Sequence, residues 1–168
     1  MSMVHNIDIQ LKRVEINDLL PLIKLGFRGD VDLLETYHIS PGTLDHCARH
    51  TYDVIIKDYF DGVFAGDVHL YAAVLVENKK ETEIGFSVIV TNEPTPHNLL
   101  SFAINFRYRK PEILKAWLVA VEKITGLPYF TGVWDRNTRA VNFFLKNGFK
   151  IKELYGGKLL IKTGSAVC

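Results

Sequence analysis

Ile7, Ile9 and Leu11 alternate with polar neighbours between Ile7 and Glu15, the period-two pattern of a strand with one face buried. Asn17 precedes a short stretch of helical periodicity, Leu19 to Phe27, which stops at Gly26-Phe27-Arg28-Gly29. Ser40-Pro41 reads as an N-cap followed by a first helical residue, opening a helix with Leu44, Cys47, Thr51, Ile55 and Tyr59 on one face. Two strands follow, His69–Val76 and Glu83–Val90, separated by the polar hexapeptide 77–82 in a hairpin pattern. Leu99–Tyr108, rich in Leu, Phe and Ile, predicts a further strand. Pro111 then starts a helix to Thr125, with Ile113, Trp117, Ala120 and Ile124 at helical spacing and Gly126 as its stop. Tyr129–Trp134 is a strand, and Asn137 caps a helix that runs to Leu145 and ends at Asn147-Gly148. Lys150–Tyr155 and Lys158–Thr163 close the chain as two strands joined at Gly156-Gly157.

The resulting order is β-α-α-β-β-β-α-β-α-β-β. Its hairpins call for antiparallel pairs and its one β-α-β unit for a parallel pair, so the fold class is α/β with a mixed, α+β-type sheet. Leu99–Tyr108 and Tyr129–Trp134 should lie parallel, bridged by the Pro111–Thr125 helix in a right-handed crossover. No repeat interrupts the chain, and the proline-containing run 91–96 is a loop. A single domain over residues 1–168 is expected.

Composition adds exclusions. Of 168 residues, 48% are hydrophobic and 23% charged, which places the chain among globular proteins and not disordered ones. The apolar run Tyr71–Val76 is far too short to cross a membrane. Asp8, Lys12, Arg13 and Glu15 interrupt the first twenty residues, so no signal peptide is expected and the location should be cytoplasmic. Cys47 and Cys168 cannot build a disulfide framework or a zinc site between them. His46 and His50 have metal-ligand spacing, but no third ligand accompanies them. They read as a surface pair, and no metal is expected. Charge is uneven: residues 1–97 hold 8 basic and 15 acidic residues, net −7, and residues 98–168 hold 12 basic and 4 acidic, net +8. A basic half suits a phosphorylated ligand or an acidic partner. No nucleic-acid partner is predicted.

The segment Asn137-Thr138-Arg139-Ala140-Val141-Asn142-Phe143-Phe144-Leu145-Lys146-Asn147-Gly148-Phe149 resembles the late helix of the GNAT superfamily of N-acyltransferases. In that pattern Asn caps the helix, Ala packs against the sheet, Gly allows the exit and Phe plugs the core. The element order is similar over essentially the whole chain, while the residue-level match lies within 108–149. The resemblance implies an acetyl-CoA donor held near the strand-to-helix turn at Tyr108-Arg109-Lys110-Pro111. It implies Phe106, Arg107, Arg109, Lys110, Asn137 and Phe144 as cofactor-binding positions.

Three departures qualify what it implies. The family's small turn residues, whose bare amides hold pyrophosphate at a helix N-terminus, fall on Glu112 and Leu114. One adds a like charge and the other bulk, so acetyl-CoA binding is doubtful; Arg107, Arg109 and Lys110 are placed to compensate. Many family members have a Tyr at the position of Phe144, which has no proton for a leaving thiolate. No general base is evident, and Glu83, Asp135 and His97 are candidates by rough position alone.

Two functions therefore stand. The expected one is a GNAT-fold protein with impaired or absent acetyl-CoA chemistry, working through a phage or host protein. The alternative is an active N-acetyltransferase moving an acetyl group from acetyl-CoA to an amine, with a small-molecule acyl donor. Val133-Trp134-Asp135-Arg136-Asn137 through Gly148 resembles phage-encoded, degenerate GNAT-like virion proteins, which sets the expected location in a virion or host cytoplasm.

Overall fold

Seven strands form one twisted sheet in the order β1-β2-β3-β4-β5-β7-β6. The structure, a computed structural model, describes residues 7–30, 43–61, 67–91, 97–134, 137–154 and 157–163. Its elements are β1 (Ile7–Arg13), α1 (Ile16–Phe27), α2 (Leu44–Asp61), β2 (Asp67–Glu77), β3 (Lys80–Thr91), β4 (His97–Ile104), α3 (Pro111–Thr125), β5 (Tyr129–Trp134), α4 (Thr138–Lys146), β6 (Lys150–Leu154) and β7 (Gly157–Lys162). The expected order and mixed sheet are thus present. β1 to β4 pair antiparallel in succession, and β4 and β5 pair parallel. The expected N-cap Ser40-Pro41, and the residues Asp135, Tyr155 and Gly156, lie outside the described residues.

Two boundaries and one buried face differ from expectation for identifiable reasons, beyond shifts of two or three residues at the starts of α1, β2 and β4. The polar stretch 77–82 is not a loop. Only Asn78-Lys79 turn the hairpin, both at positive φ (52° and 66°), while Glu77 faces Lys80 and Val76 faces Glu81 in the ladder. A two-residue turn of that hand matches strand twist, and the solvated end of a hairpin carries polar residues without ceasing to be strand. β4 stops at Ile104 instead of Tyr108, because Asn105 breaks it. The Asn105 side chain accepts from the Arg107 N–H at 3.1 Å, and its carbonyl accepts from the Tyr108 N–H at 2.9 Å. The chain thereby enters a 3-10 turn over Phe106–Tyr108. On α2 the buried seam is Leu44, Ala48 and Ile55, not the line through Cys47 and Thr51, which stay half-buried.

The central strands are buried on both faces, so their sequences run apolar without alternation. On β2, Tyr71, Ala73 and Leu75 pack on the face covered by α3 and α4, with Trp117, Val121 and Phe144. Leu70, Ala72 and Val74 pack on the opposite face with α1 and α2, against Leu19, Ile23, Ala48 and Ile55. α1 seats closely on the sheet at Gly26, where a Cβ would lie 2.8 Å from that of Ala103. Gly85 serves the same contact from β3: a Cβ there would fall 1.9 Å from the Ala103 carbonyl oxygen. Neither position tolerates a side chain without moving backbone.

Candidate functional site

The site begins where β5 leaves β4. Their parallel ladder holds only from His97–Tyr129 to Leu99–Thr131. At the next residue β4 bulges against β3, since Val88 faces Ser101 while Ile89 faces Leu99, leaving Leu100 extra. The Thr131 hydroxyl donates to the Leu99 carbonyl at 2.8 Å, satisfying a buried acceptor at the point of parting. Beyond it the strands diverge around a cavity of about 1020 Å³. Leu100 to Ile104 line it from β4, and Gly132 and Val133 from β5. A Cβ on Gly132 would meet nothing within 4 Å.

Aromatic rings make the floor. Phe102 lies 4.9 Å from Trp117 and 5.6 Å from Phe144, centroid to centroid, and Phe144 stacks edge-on against Phe149 at 4.9 Å. Trp117 and Phe144 are almost wholly buried. The Trp117 indole N–H donates to the buried Ser87 hydroxyl at 2.9 Å, fixing the ring that α3 contributes. Such a concave site, mostly apolar with a few convergent polar groups, is the usual form of a small-molecule pocket.

One rim is the turn before α3, and it is held by hydrogen bonds to the end of α1. Arg109 forks onto both carboxylate oxygens of Asp30, a side chain only 8% exposed, and its Nε donates to the Ile104 carbonyl at 2.7 Å. Asn105 donates to the Leu25 carbonyl at 2.8 Å. The amides of Arg107, Tyr108, Arg109, Ile113 and Leu114 already donate within the turn. The second rim is the start of α4, where Asn137 caps the helix by accepting from the Ala140 N–H at 3.3 Å. The opposite wall is α2, which contributes His46, Cys47, His50 and Thr51.

The structure brings four of the sequence-predicted positions to the cavity: Phe106, Arg109, Asn137 and Phe144. Arg107 and Lys110 are exposed on the turn outside its lining, with the Arg107 guanidinium 6.0 Å from the Phe106 ring. Leu114 does line the cavity, as its bulk suggested; Glu112 is exposed away from it. Among the base candidates, Glu83 and His97 are not among the lining residues, so geometry does not support either, and Asp135 lies outside the described residues. The surface reading of His46 and His50 is corrected in one respect: both are exposed, but exposed into the cavity mouth. Sequence reasoning had no signal for Asp30, Asn105 or Thr131, whose roles depend on partners distant in the chain. No group of three His, Cys, Asp or Glu among the described residues is arranged to hold a metal ion. No helix among them is long and apolar enough to cross a membrane.

The fold recurs in solved structures. PaiA N-acetyltransferase from Thermoplasma acidophilum, solved in complex with coenzyme A, superposes with a TM-score of 0.66 at 22% identity, covering 94% of this chain and 99% of that one. The chain has the GNAT fold. An acetyltransferase from Thermus thermophilus gives a TM-score of 0.62 at 16% identity, over 94% of this chain and 97% of that one. A GNAT-family acetyltransferase from Streptococcus agalactiae gives 0.59 at 14% identity, over 93% and 95% of the two chains. Neither a protein-family model nor a curated protein matches the sequence.

Proposed function

We propose that the protein is an N-acyltransferase that takes its acyl group from an acyl-coenzyme A and passes it to an amine bound on the α2 side of the cavity. The observation that carries this reading is the parting of β4 and β5 after Leu99, with the Leu100 bulge beside it. A parallel pair that separates at a bulge leaves a backbone edge without a strand partner. Here that edge faces a large cavity open to both sheet faces, where an extended ligand can lie. The coenzyme A bound by the Thermoplasma relative supports the choice of donor.

The residues fit a coenzyme A donor in part. The start of α3 supplies a helix N-terminus, and Arg107 and Lys110 stand exposed beside it, suited to phosphate. Arg109 is committed to Asp30 and acts here as a clamp on the turn. Donor affinity then rests on side chains more than on an amide cradle, and should be weak for this chemistry. In the reaction the amine nitrogen forms a bond to the acyl carbon, the carbon–sulfur bond breaks, and the electron pair leaves on sulfur. Phe144 has no proton to give, so water protonates the departing thiolate.

A second reading follows from the turn itself. With amides engaged and Glu112 and Leu114 in place of small residues, the fold serves as a binding module with impaired or absent chemistry. Its phage-type virion or host-interaction form rests on the late-helix sequence and the opposed charges of the two halves. Calorimetric titration with acetyl-CoA, paired with thiol release over a panel of amines, separates the readings. Saturable binding with a dissociation constant below about 1 mM, together with amine-dependent release, is expected for the enzyme. No binding at that level would leave the module.

A further inference from the structure

We propose that His46 and His50 are the proton acceptors of this site, taking the proton from the acceptor amine as it attacks. The inference deepens the acyltransferase reading above and depends on it.

The argument starts from the lining. Among the described residues, the ionisable groups around the cavity are Asp30, His46, Cys47, His50, Arg109 and Arg139. Asp30 offers both carboxylate oxygens to Arg109 and is almost fully buried, so its charge is already answered. A guanidinium is a donor with no acceptor atom, so neither arginine serves as a base. Imidazole is the side chain that both takes and returns a proton near neutral pH, which suits it to general-base work.

Position agrees with chemistry. His46 and His50 are one turn apart on α2, so their side chains project from one face of that helix. α2 packs on the sheet face opposite the one covered by α3 and α4. The donor-side helix start and the imidazoles therefore approach the parted strands from opposite sides, as a donor and an attacking nucleophile must. Both imidazoles are exposed, which gives the abstracted proton a route to water. Among the described residues, the charged groups to set beside them are Asp45, Arg49 and Asp53 on α2 itself, with Arg49 and Asp53 paired at 3.3 Å, Asp18 and Lys24 on α1, which packs on α2, and Asp30, Arg109 and Arg139 of the cavity lining.

The balance is complete without another reactant. The amine loses one proton to imidazole as its nitrogen–carbon bond forms, and the thiolate leaves with the sulfur electron pair. The imidazolium then releases its proton to water, and water protonates the thiolate.

The test compares the wild type with His46→Gln, His50→Gln and the double variant, in thiol release with acetyl-CoA and the best amine of the panel. Wild-type kcat/KM should rise with pH, because a base accepts the amine proton only in its neutral form. The double variant should lose about 10²-fold or more in kcat/KM, together with that rising limb, while its affinity for coenzyme A is unchanged. The single variants assign the larger share to one histidine. A double variant that keeps both the rate and the pH limb overturns the inference and leaves the acyltransferase reading intact. A loss of coenzyme A affinity matching the loss of rate also overturns it, since the histidines would then be ligand contacts. A wild type that binds coenzyme A but acylates no amine removes the inference together with the reading beneath it.

Discussion

The two sides of the cavity are built in opposite ways. The turn from Asn105 to Leu114 is pinned at several points: Asn105 to α1, Arg109 to Asp30 and Ile104, and the amides of Arg107, Tyr108, Arg109, Ile113 and Leu114 within the turn. Among the described residues α2 meets the core through Leu44, Ala48 and Ile55, with Tyr52 packed partly buried beside them, and it presents His46 and His50 exposed at the cavity, with Cys47 and Thr51 half-buried. A pinned turn holds one geometry and resists change, because each lost partner leaves a buried group unsatisfied. A solvated helix face accepts substitution at little cost to stability. The comparison teaches that the turn before α3 is scaffold as much as site, while the α2 wall is the side where, on the proposed reading, acceptor choice can vary.

Phe144→Ala tests the floor that both sides share and should have the largest effect. It empties a fully buried ring packed on Phe102, Trp117 and Phe149. The expected loss is about 3–5 kcal/mol, read by denaturant unfolding. A loss under about 1 kcal/mol would mean that the floor repacks and neither rim is anchored to it.

Arg109→Ala comes next. It removes the guanidinium that forks onto the buried Asp30 carboxylate, at a cost of about 3 kcal/mol, reduced from the deeply buried case because Arg109 is 25% exposed. The melting temperature should fall by roughly 6–12 °C. If instead stability holds while coenzyme A affinity collapses, Arg109 is a ligand contact and the contrast between pinned rim and open wall fails. Asn105→Ala should cost about 1–2 kcal/mol, since the Leu25 carbonyl and the Arg107 amide lose a partner together. On the other wall, the double His46→Gln, His50→Gln variant should unfold within about 0.5 kcal/mol of the wild type. A larger loss there would show that α2 is pinned as well.

The smallest effect concerns His69, near the start of β2, and it sharpens the contrast by placing a pH-sensitive group that is not part of the cavity lining. Burial first, and Arg13 second, hold its imidazole below the ordinary value of 6.5. Its Nε2 pairs with the Thr91 hydroxyl at 3.0 Å, while the buried Nδ1 has no hydrogen-bond partner among the described residues. The unfolded chain therefore binds a proton more readily than the folded one. The stability that neutral His69 contributes is present above pH 6.5 and is lost as pH falls below it toward the depressed folded value. Thermal unfolding should show a melting temperature that drops on acidification through this range. His69→Gln should flatten that slope.

Most of the architecture was legible because period and punctuation are local. Pro111 and Gly126 bound α3, Asn137 and Gly148 bound α4, and the alternation at Ile7, Ile9 and Leu11 placed β1. Each signal acts through backbone geometry within a few residues, and so survives without knowledge of the rest of the fold. The order of elements then required the parallel β4–β5 pair through crossover handedness. Errors came where a local pattern had two physical outcomes. Polar residues 80–82 extend a hairpin as readily as they loop, and Asn105 ends a strand that its apolar neighbours would continue.

The sequence by itself determined the elements, their order, the α4 cap and the absence of small residues in the turn before α3. Only the tertiary structure decided that Arg109 belongs to Asp30, that Thr131 closes the ladder at Leu99, and that His46 and His50 face the cavity. The first two of those facts join residues 79 and 32 positions apart. Whether an arginine meets a phosphate or a carboxylate depends on which group the fold carries to it. No pattern along the chain encodes a meeting made by packing.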